Sequence, residues 1–204
     1  MAGTSSREII HLVASLVVLT IAFTYPSLSP LMMLSSALGV GIGFLLHELA
    51  HKFTAQKYGY FADYEASPMG LLLAIGLSII TNGGFVFAAP GAVMIRGKKV
   101  FNTAADDRYW DSMQSAREFA YISVSGAVVN LVIALSFIIG SFLVAPQGIA
   151  HLILMKGAFI NIFLAAFNMI PFGPLDGAKV WRYNPSLWGL VAIPSIILFV
   201  IFIG

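Results

Sequence analysis

The chain has 204 residues, of which 59% are hydrophobic and only 10% are charged. Soluble domains carry about 25% charged residues, so this chain has too little polar surface to be covered by water. The composition therefore excludes a disordered protein, a coiled coil and an ordinary cytosolic enzyme. The absence of cysteine excludes disulfides and thiolate metal sites, and a net charge of +2 without a basic run gives no sign of a nucleic-acid partner. An integral membrane protein remains.

Long stretches without Lys, Arg, Asp or Glu indicate the spans of this protein in the lipid bilayer. They cover residues 9–46, 66–95, 119–155, 157–175 and 183–204. A helical span needs about 20 apolar residues. Prolines break the first stretch at 25–30, and a Pro-Gln-Gly turn follows Ala145. The pattern predicts an all-α polytopic membrane protein with about five transmembrane helices, the last of them kinked at Pro194.

Residues 66–95 do not fit a simple span. They are too few for two helices, and basic residues flank both ends, so both ends are expected on the same side of the membrane. We predict a re-entrant or membrane-surface segment between the second and third helices. Met69–Ile80 is expected to be helical, and Gly83–Ile95 to form strands around a turn. Residues 96–118 hold nine of the twenty charges and predict a cytoplasmic connection.

The basic residues predict the orientation. Ten of the eleven Lys and Arg residues fall at one end of the predicted helices, which the positive-inside rule assigns to the cytoplasm. The N-terminus is then cytoplasmic, the C-terminus lies outside, and the first helix is a signal anchor of a multi-pass cell-membrane protein. Lys156 is the exception, near the outer end of the fourth helix, where it can snorkel.

The second helix carries His47-Glu48-Leu49-Ala50-His51. Histidines four residues apart share one helical face and suit a single zinc ion, and the adjacent Glu48 can act as general base on a water at that metal. Ionisable groups in a membrane span need a function or a partner. The alternative is a polar contact between helices at the cytoplasmic end.

Zinc needs a third protein ligand, for which two carboxylates are candidates. Glu65 follows a polar segment expected to face the cytoplasm. Asp176 lies in Asn168-Met169-Ile170-Pro171-Phe172-Gly173-Pro174-Leu175-Asp176-Gly177, where the prolines hold the chain extended and Gly177 permits a turn. We favour Asp176, because the second and fourth helices run toward the same side of the membrane. His11 and His151 are interpreted as interfacial residues.

These motifs resemble the site-2 protease family of intramembrane zinc metalloproteases. The resemblance covers residues 31–182 and rests on the sequences at 47–51 and 167–177. Ser125-Gly126-Ala127-Val128-Val129-Asn130 is similar to the family's G-P-x-x-N signature, with Ala127 in place of proline. The chain is most similar to the compact prokaryotic members without PDZ or CBS domains, so 1–204 is expected to form one membrane-embedded protease domain.

The resemblance implies one zinc ion held by His47, His51 and Asp176, with Glu48 as catalytic base, and a transmembrane protein as substrate. It further implies a substrate or oxyanion contact at Asn168, whose alternative role is to satisfy a freed carbonyl at the helix end. Asn130 is a candidate substrate residue or an interhelical hydrogen bond. Phe87 and Val93 belong to the strand-like piece, which either pairs with an unwound substrate or packs beneath the bundle.

Two other functions remain open from the sequence. A metal-binding membrane transporter or channel would use the same polar residues, although it would need ionisable groups on several spans. An inactive homologue acting as a scaffold is the other, although every catalytic residue type is present. The oligomeric state cannot be derived from the sequence.

Overall fold

The computed structural model describes residues 4–98 and 108–203. Its elements in chain order are α1 (Ser6–Thr24), α2 (Pro30–Lys57), β1 (Tyr60–Ala66), α3 (Pro68–Ile80), β2 (Gly91–Lys98), α4 (Arg108–Ser141), α5 (Ile149–Asn168), α6 (Asp176–Tyr183) and α7 (Pro185–Ile203). Among the described residues, five helices are long and apolar enough to cross a membrane: α1, α2, the Ser115–Ser141 part of α4, α5 and α7. The predicted five-helix multi-pass architecture is therefore confirmed.

The ends of the first two helices follow local sequence signals. Ser5 caps α1 by accepting a hydrogen bond from the Glu8 N–H at 3.1 Å, and Ser29 caps α2 in the same way. Pro30 occupies the first turn of α2, where its missing N–H leaves no donor unpaired. The helix breaks predicted at 25–30 and after Ala145 are both present, and Pro194 lies inside α7, where the predicted kink stays a prediction.

The helices α2, α4 and α5 pack against one another and form the centre of the bundle. Small residues bring α2 and α5 together: an added Cβ at Gly39 would lie 3.1 Å from Gly157 Cα. The buried Asn161 amide of α5 donates to the Gly39 carbonyl of α2 at 3.4 Å. This close approach packs α2 against α5 in the centre of the bundle, in the helix that also carries the His47–His51 motif.

The 66–95 segment runs alongside α1 and returns. Near its start, the Ala66 N–H donates to His11 Nδ1 at 3.3 Å in the first half of α1. Near the end of α3, Ser78 Oγ donates to the Ala22 carbonyl at 2.8 Å, almost at the end of α1. An extended stretch then leads back to β2, which pairs with β1 where the segment began. The predicted helical first half is confirmed, and the chain turns back as expected; its re-entrant or membrane-surface position stays a prediction.

The strand prediction needs a correction. Gly83–Ile95 does not form strands around a turn, because residues 85–89 form no strand and the single strand is Gly91–Lys98. Its partner is β1, Tyr60–Ala66, in an antiparallel two-stranded sheet with Tyr64 opposite Val93. The sequence predicts only a polar stretch before Glu65, but Tyr60, Ala62 and Tyr64 are buried on one face in the alternation of a strand.

The region predicted as the 96–118 connection is mostly regular structure where it is described. The strand β2 continues to Lys98, and α4 begins at Arg108 rather than at the predicted residue 119. Residues 99–107 lie outside the described part of the chain. The cytoplasmic position of this region, like the orientation of the termini, stays a prediction.

A buried ion pair joins α1 to α2. Lys52 and Glu8 are each 3% exposed, and Lys52 Nζ lies 2.6 Å from Glu8 Oε2. The other carboxylate oxygen, Oε1, accepts the Tyr64 N–H of β1 at 3.1 Å. Lys52 directly follows His51, so this pair ties α1 and the sheet to the helix that carries the histidine motif.

Breaking one side of this pair should destabilise the protein. We expect Lys52→Met to lower the free energy of unfolding by about 3–5 kcal/mol, because it leaves the Glu8 carboxylate buried without a counter-charge. The double variant Glu8→Gln/Lys52→Met should recover most of the loss, since it removes both charges and keeps an acceptor for Tyr64. Thermal unfolding in detergent measures both. A double variant less stable than Lys52→Met would contradict this account.

Candidate metal centre

The two histidines of α2 and an aspartate of α6 meet at one point inside the bundle. His47 Nε2 lies 3.0 Å from His51 Nε2, and Asp176 Oδ2 lies 3.4 Å and 2.9 Å from these two nitrogens. All three residues are buried, with at most 13% of any of the three side chains exposed. Among the described residues they form the one group of three or more His, Asp or Glu side chains that could hold a metal ion.

The hydrogen-bond partners of the two Nδ1 atoms determine which nitrogen of each histidine carries the proton and which one can bind a cation. His51 Nδ1 lies 2.7 Å from the Ile122 carbonyl, which can only accept, so Nδ1 carries the proton. His47 Nδ1 lies 3.2 Å from Asn130 Oδ1, also an acceptor. Both Nε2 atoms therefore point a lone pair at each other and at the Asp176 carboxylate. Three acceptors this close repel one another unless a cation lies between them.

The spacing of these atoms fits zinc. At a bond length of about 2.0–2.1 Å, two ligands of a tetrahedral zinc are separated by about 3.3 Å. The observed separations of 2.9–3.4 Å lie around that value. Lys179 Nζ lies 3.1 Å from Asp176 Oδ1 and favours the ionised form of this carboxyl. Asp176 is then a carboxylate at neutral pH, the form that binds a cation.

Local structure brings Asp176 to the histidines. The side chain lies in the first turn of α6, where a carboxylate is favoured by the helix dipole. Its second oxygen, Oδ1, accepts from Lys179 Nζ at 3.1 Å, which leaves Oδ2 for the histidines.

The role predicted for Gly177, that it permits a turn, was wrong. The left-handed glycine of the loop before α6 is Gly173, at φ 61°. A Cβ at Gly177 would instead collide with the Met169 carbonyl, so glycine lets α6 pack against the end of α5.

The helix α4 supports the histidines through a residue that the sequence analysis gave no role. An added Cβ at Gly126 would lie 2.6 Å from His47 Cε1 and 2.6 Å from His51 Nε2. Only a glycine here lets α4 approach both rings. Gly126 and Asn130 are one helical turn apart on the same face, and this spacing was the signal that could have identified Gly126.

The general-base candidate Glu48 lies beside the cluster. Its side chain is buried, and its Oε2 atom makes no hydrogen bond to another described residue. A buried carboxylate oxygen without a partner is rare in a folded protein and indicates a function or a bound group. Glu48 lines the same cavity as His47, His51 and Asp176. The four residues therefore combine a metal-binding set with a free acceptor.

The remaining site candidates separate into two groups. Phe87, Val93 and Asn168 line a cavity of about 650 Å³ that also reaches the histidines, and the Asn168 amide additionally donates to the Leu164 carbonyl at 3.0 Å. Asn130 is fully buried against His47 and does not line this cavity.

The other candidates lie away from the centre. Glu65 lines the cavity, but its carboxylate pairs with Arg96 and does not join the metal-binding group. His11 contacts β1, and His151 bonds the Ser141 carbonyl at 3.2 Å.

Curated proteins similar to this chain carry matching names. A protein of Methanocaldococcus jannaschii named "Putative zinc metalloprotease" is 36% identical over 192 residues, which cover 94% of this chain and 92% of the relative. The chain belongs to this zinc metalloprotease family. A "Putative zinc metalloprotease" of Bacillus subtilis is 29% identical over 160 residues, 68% of the chain and 64% of that protein. No protein-family model and no solved structure matches the chain.

Membership in the zinc metalloprotease family agrees with the geometry of the cluster. Two imidazole nitrogens and a carboxylate oxygen are the ligand types of catalytic zinc sites, in which three protein ligands leave a further position open. The family and the geometry of the cluster point to the same metal.

Proposed function

We propose that this protein is an intramembrane zinc metalloprotease of the site-2 type, which hydrolyses a peptide bond in or near a membrane-spanning helix of its substrate. The observation that carries the proposal is the meeting of His47, His51 and Asp176 at 2.9–3.4 Å within a bundle of membrane-spanning helices, beside the unpaired carboxylate oxygen of Glu48. Family membership supports the zinc and the proteolysis.

Each residue of the centre has a distinct role in this proposal. A bound zinc ion supplies Lewis acidity, which lowers the pKa of water toward about 7 and polarises a carbonyl. Glu48 accepts the proton of the attacking water and delivers it to the leaving amine. Asn130 and the Ile122 carbonyl hold the two imidazoles in the tautomer that binds metal, and Lys179 orients Asp176. Asn168 is proposed as a substrate contact on the cavity wall.

The sheet offers one open edge to a substrate. On the outer side of β1, the Tyr64 and Ala66 amides donate to Glu8 and His11 of α1. These amides point away from β2, so their partners Val93 and Gly91 also direct their backbone groups away from β1. Ile95, opposite Ala62, follows the same alternation. The free edge of β2 thus presents its backbone at 91, 93 and 95.

This open edge supports recognition by strand addition. Residues 91–95 line the cavity that contains Glu48, so a chain paired with β2 would lie beside the metal centre. A substrate helix has to unwind before its carbonyl can be attacked, and an open strand edge stabilises the unwound segment with main-chain hydrogen bonds. The side chains of Phe87 and Val93 would contact that segment from the same cavity.

The proposal is tested by a cleavage assay with purified protein in proteoliposomes. The reporter is a single membrane-spanning helix with a Gly-Pro pair at the depth in the bilayer expected for the metal centre. The expected result is cleavage of this reporter by the wild type and little cleavage of a reporter with Leu-Ala in place of Gly-Pro. Glu48→Gln should reduce cleavage by about 10²–10⁴-fold, the range of general acid–base catalysis. If the protein were a transporter, it would cleave neither reporter, and Glu48→Gln would leave its transport of metal ions unchanged.

Strand addition makes a separate prediction at Val93. We expect Val93→Pro to reduce reporter cleavage at least tenfold with zinc retained, because it removes an amide on the open edge and leaves the β1–β2 hydrogen bonds intact. Val93→Ala is the matched control, since it shortens the side chain and keeps the amide. Equal cleavage by Val93→Pro and wild type would exclude pairing at this edge.

A further inference from the structure

A second cavity lies at the opposite end of α1 from the sheet. Its volume is about 200 Å³. It is lined by the end of α1 and the following turn, the return of the re-entrant segment, and α5. The lining includes Thr24, Tyr25, Ser27, Lys156, Phe159 and Phe163. Since Glu8 at the other end of α1 contacts β1, this cavity is separated from the metal centre by most of the length of α1.

Lys156 has no counter-charge in this cavity. None of the described Asp or Glu side chains forms an ion pair with it. The stretches that surround it, residues 9–46, 66–95 and 157–175, contain no Asp or Glu at all. Lys156 is half-buried in a membrane-spanning helix, and the described residues offer its ammonium group no anionic partner.

The neighbours of Lys156 suit an anion with several oxygen acceptors. The ammonium nitrogen lies 5.6 Å from the centroid of the Phe159 ring, a cation–π distance that leaves its N–H donors available. Tyr25, which is half-buried, and Ser27, which is exposed, also line this cavity, and neither hydroxyl bonds to another described residue. One cation and two free hydroxyl donors are the recognition groups expected for a phosphate.

The position of Lys156 in α5 favours a lipid as the source of that phosphate. It lies seven residues after Ile149, about 10 Å along the helix from the end that meets the membrane surface. Side chains on a helix tilt toward its N-terminus, so the ammonium group points toward that surface. An ammonium group at this depth can reach the phosphate of a lipid headgroup.

We propose that this cavity is a binding site for the phosphate of an anionic membrane lipid, held by Lys156 with Tyr25 and Ser27. The bound headgroup would join the α1–α2 turn, the return of the re-entrant segment at 83–86 and α5. This inference does not depend on the proposed proteolysis, because none of these residues lies in the metal centre.

Native mass spectrometry of protein in detergent tests the site, with phosphatidylglycerol and phosphatidylcholine compared at equal concentration. The wild type is expected to retain one phosphatidylglycerol in preference to phosphatidylcholine. Lys156→Met should weaken this retention about fivefold, the effect of one lysine–headgroup attraction, whereas Lys156→Arg should keep it. Lys57→Met is the matched control, since it removes an exposed lysine beside the opposite end of the bundle.

Three results would overturn the proposal. Equal retention of the two lipids by the wild type would exclude recognition of the anionic headgroup, and this comparison holds even if Lys156→Met fails to fold. Equal losses in Lys57→Met and Lys156→Met would indicate a general surface attraction. Displacement of phosphatidylglycerol by millimolar inorganic phosphate would identify a free-anion site in place of a lipid site.

Discussion

Purified protein is expected to contain about one zinc ion per chain, and His47→Ala and Asp176→Ala are each expected to lose it. Each substitution removes one of three atoms that lie within 3.4 Å of one another, and no other described carboxylate or imidazole lies close enough to replace it. A zinc ion with only two protein ligands would have water at its remaining coordination positions. Elemental analysis by mass spectrometry after exhaustive dialysis measures the content directly.

Two matched variants make this result specific. Glu48→Gln should keep the zinc while losing proteolysis, because Glu48 contributes a proton acceptor and not a ligand. His151→Ala should keep both, since His151 bonds the Ser141 carbonyl away from the cluster. Zinc retained by Asp176→Ala would place the third ligand elsewhere, and Glu65→Ala would then be tested next. Absence of zinc from the wild type after reconstitution would refute the metal centre altogether.

Gly126→Ala is expected to disable the metal centre although residue 126 has no side chain to offer as a ligand. The new methyl group would lie 2.6 Å from atoms of both imidazoles, which is far inside van der Waals contact. Asn130 and the Ile122 carbonyl lie on the same face of α4 as Gly126, so rings pushed away from residue 126 would lose the hydrogen bonds that fix their tautomer. We expect zinc affinity to fall by about 10–100-fold or more, and cleavage with it.

Gly76→Ala is the control for Gly126→Ala. Gly76 lies in α3, and a Cβ there would meet no other atom within 4 Å. Alanine is also the better helix former at both positions, so helix propensity alone would stabilise both variants. Competition against a chromophoric zinc chelator gives the affinities, and thermal unfolding shows whether either variant is folded. A Gly126→Ala variant with wild-type zinc affinity would contradict the packing described here.

Together, the two predictions distinguish a residue that binds the metal ion from a residue that only holds the metal ligands in place. Loss of zinc in Asp176→Ala with retention in Gly126→Ala would mean that α4 contacts the histidines without constraining them. Loss in both would show that the metal centre depends on α4 as well as on α2 and α6. Neither result depends on finding the natural substrate.

The sequence by itself determined the five-helix architecture and identified the histidine pair of α2 as a candidate for metal binding. A span in lipid must satisfy its own backbone and exclude charge, so the five helices are visible as charge-free stretches. His47 and His51 could be paired because helical periodicity places residues four apart on one face. The choice of Asp176 over Glu65 also followed from the sequence, because counting spans placed both helix ends on the same side.

Only the tertiary structure decided which residues complete the site. β1 was missed because its partner lies about thirty residues further on, and a short strand of mixed polarity has no clear pattern until that pairing is known. The spacing of Gly126 and Asn130 places both on one face of α4, but only the structure shows that this face contacts the histidines of α2. The capping of β1 by Glu8 and His11, which leaves β2 as the open edge, likewise depends on how α1 packs. Hydropathy determines which segments form membrane helices, whereas packing between the helices determines which side-chain atoms come into contact.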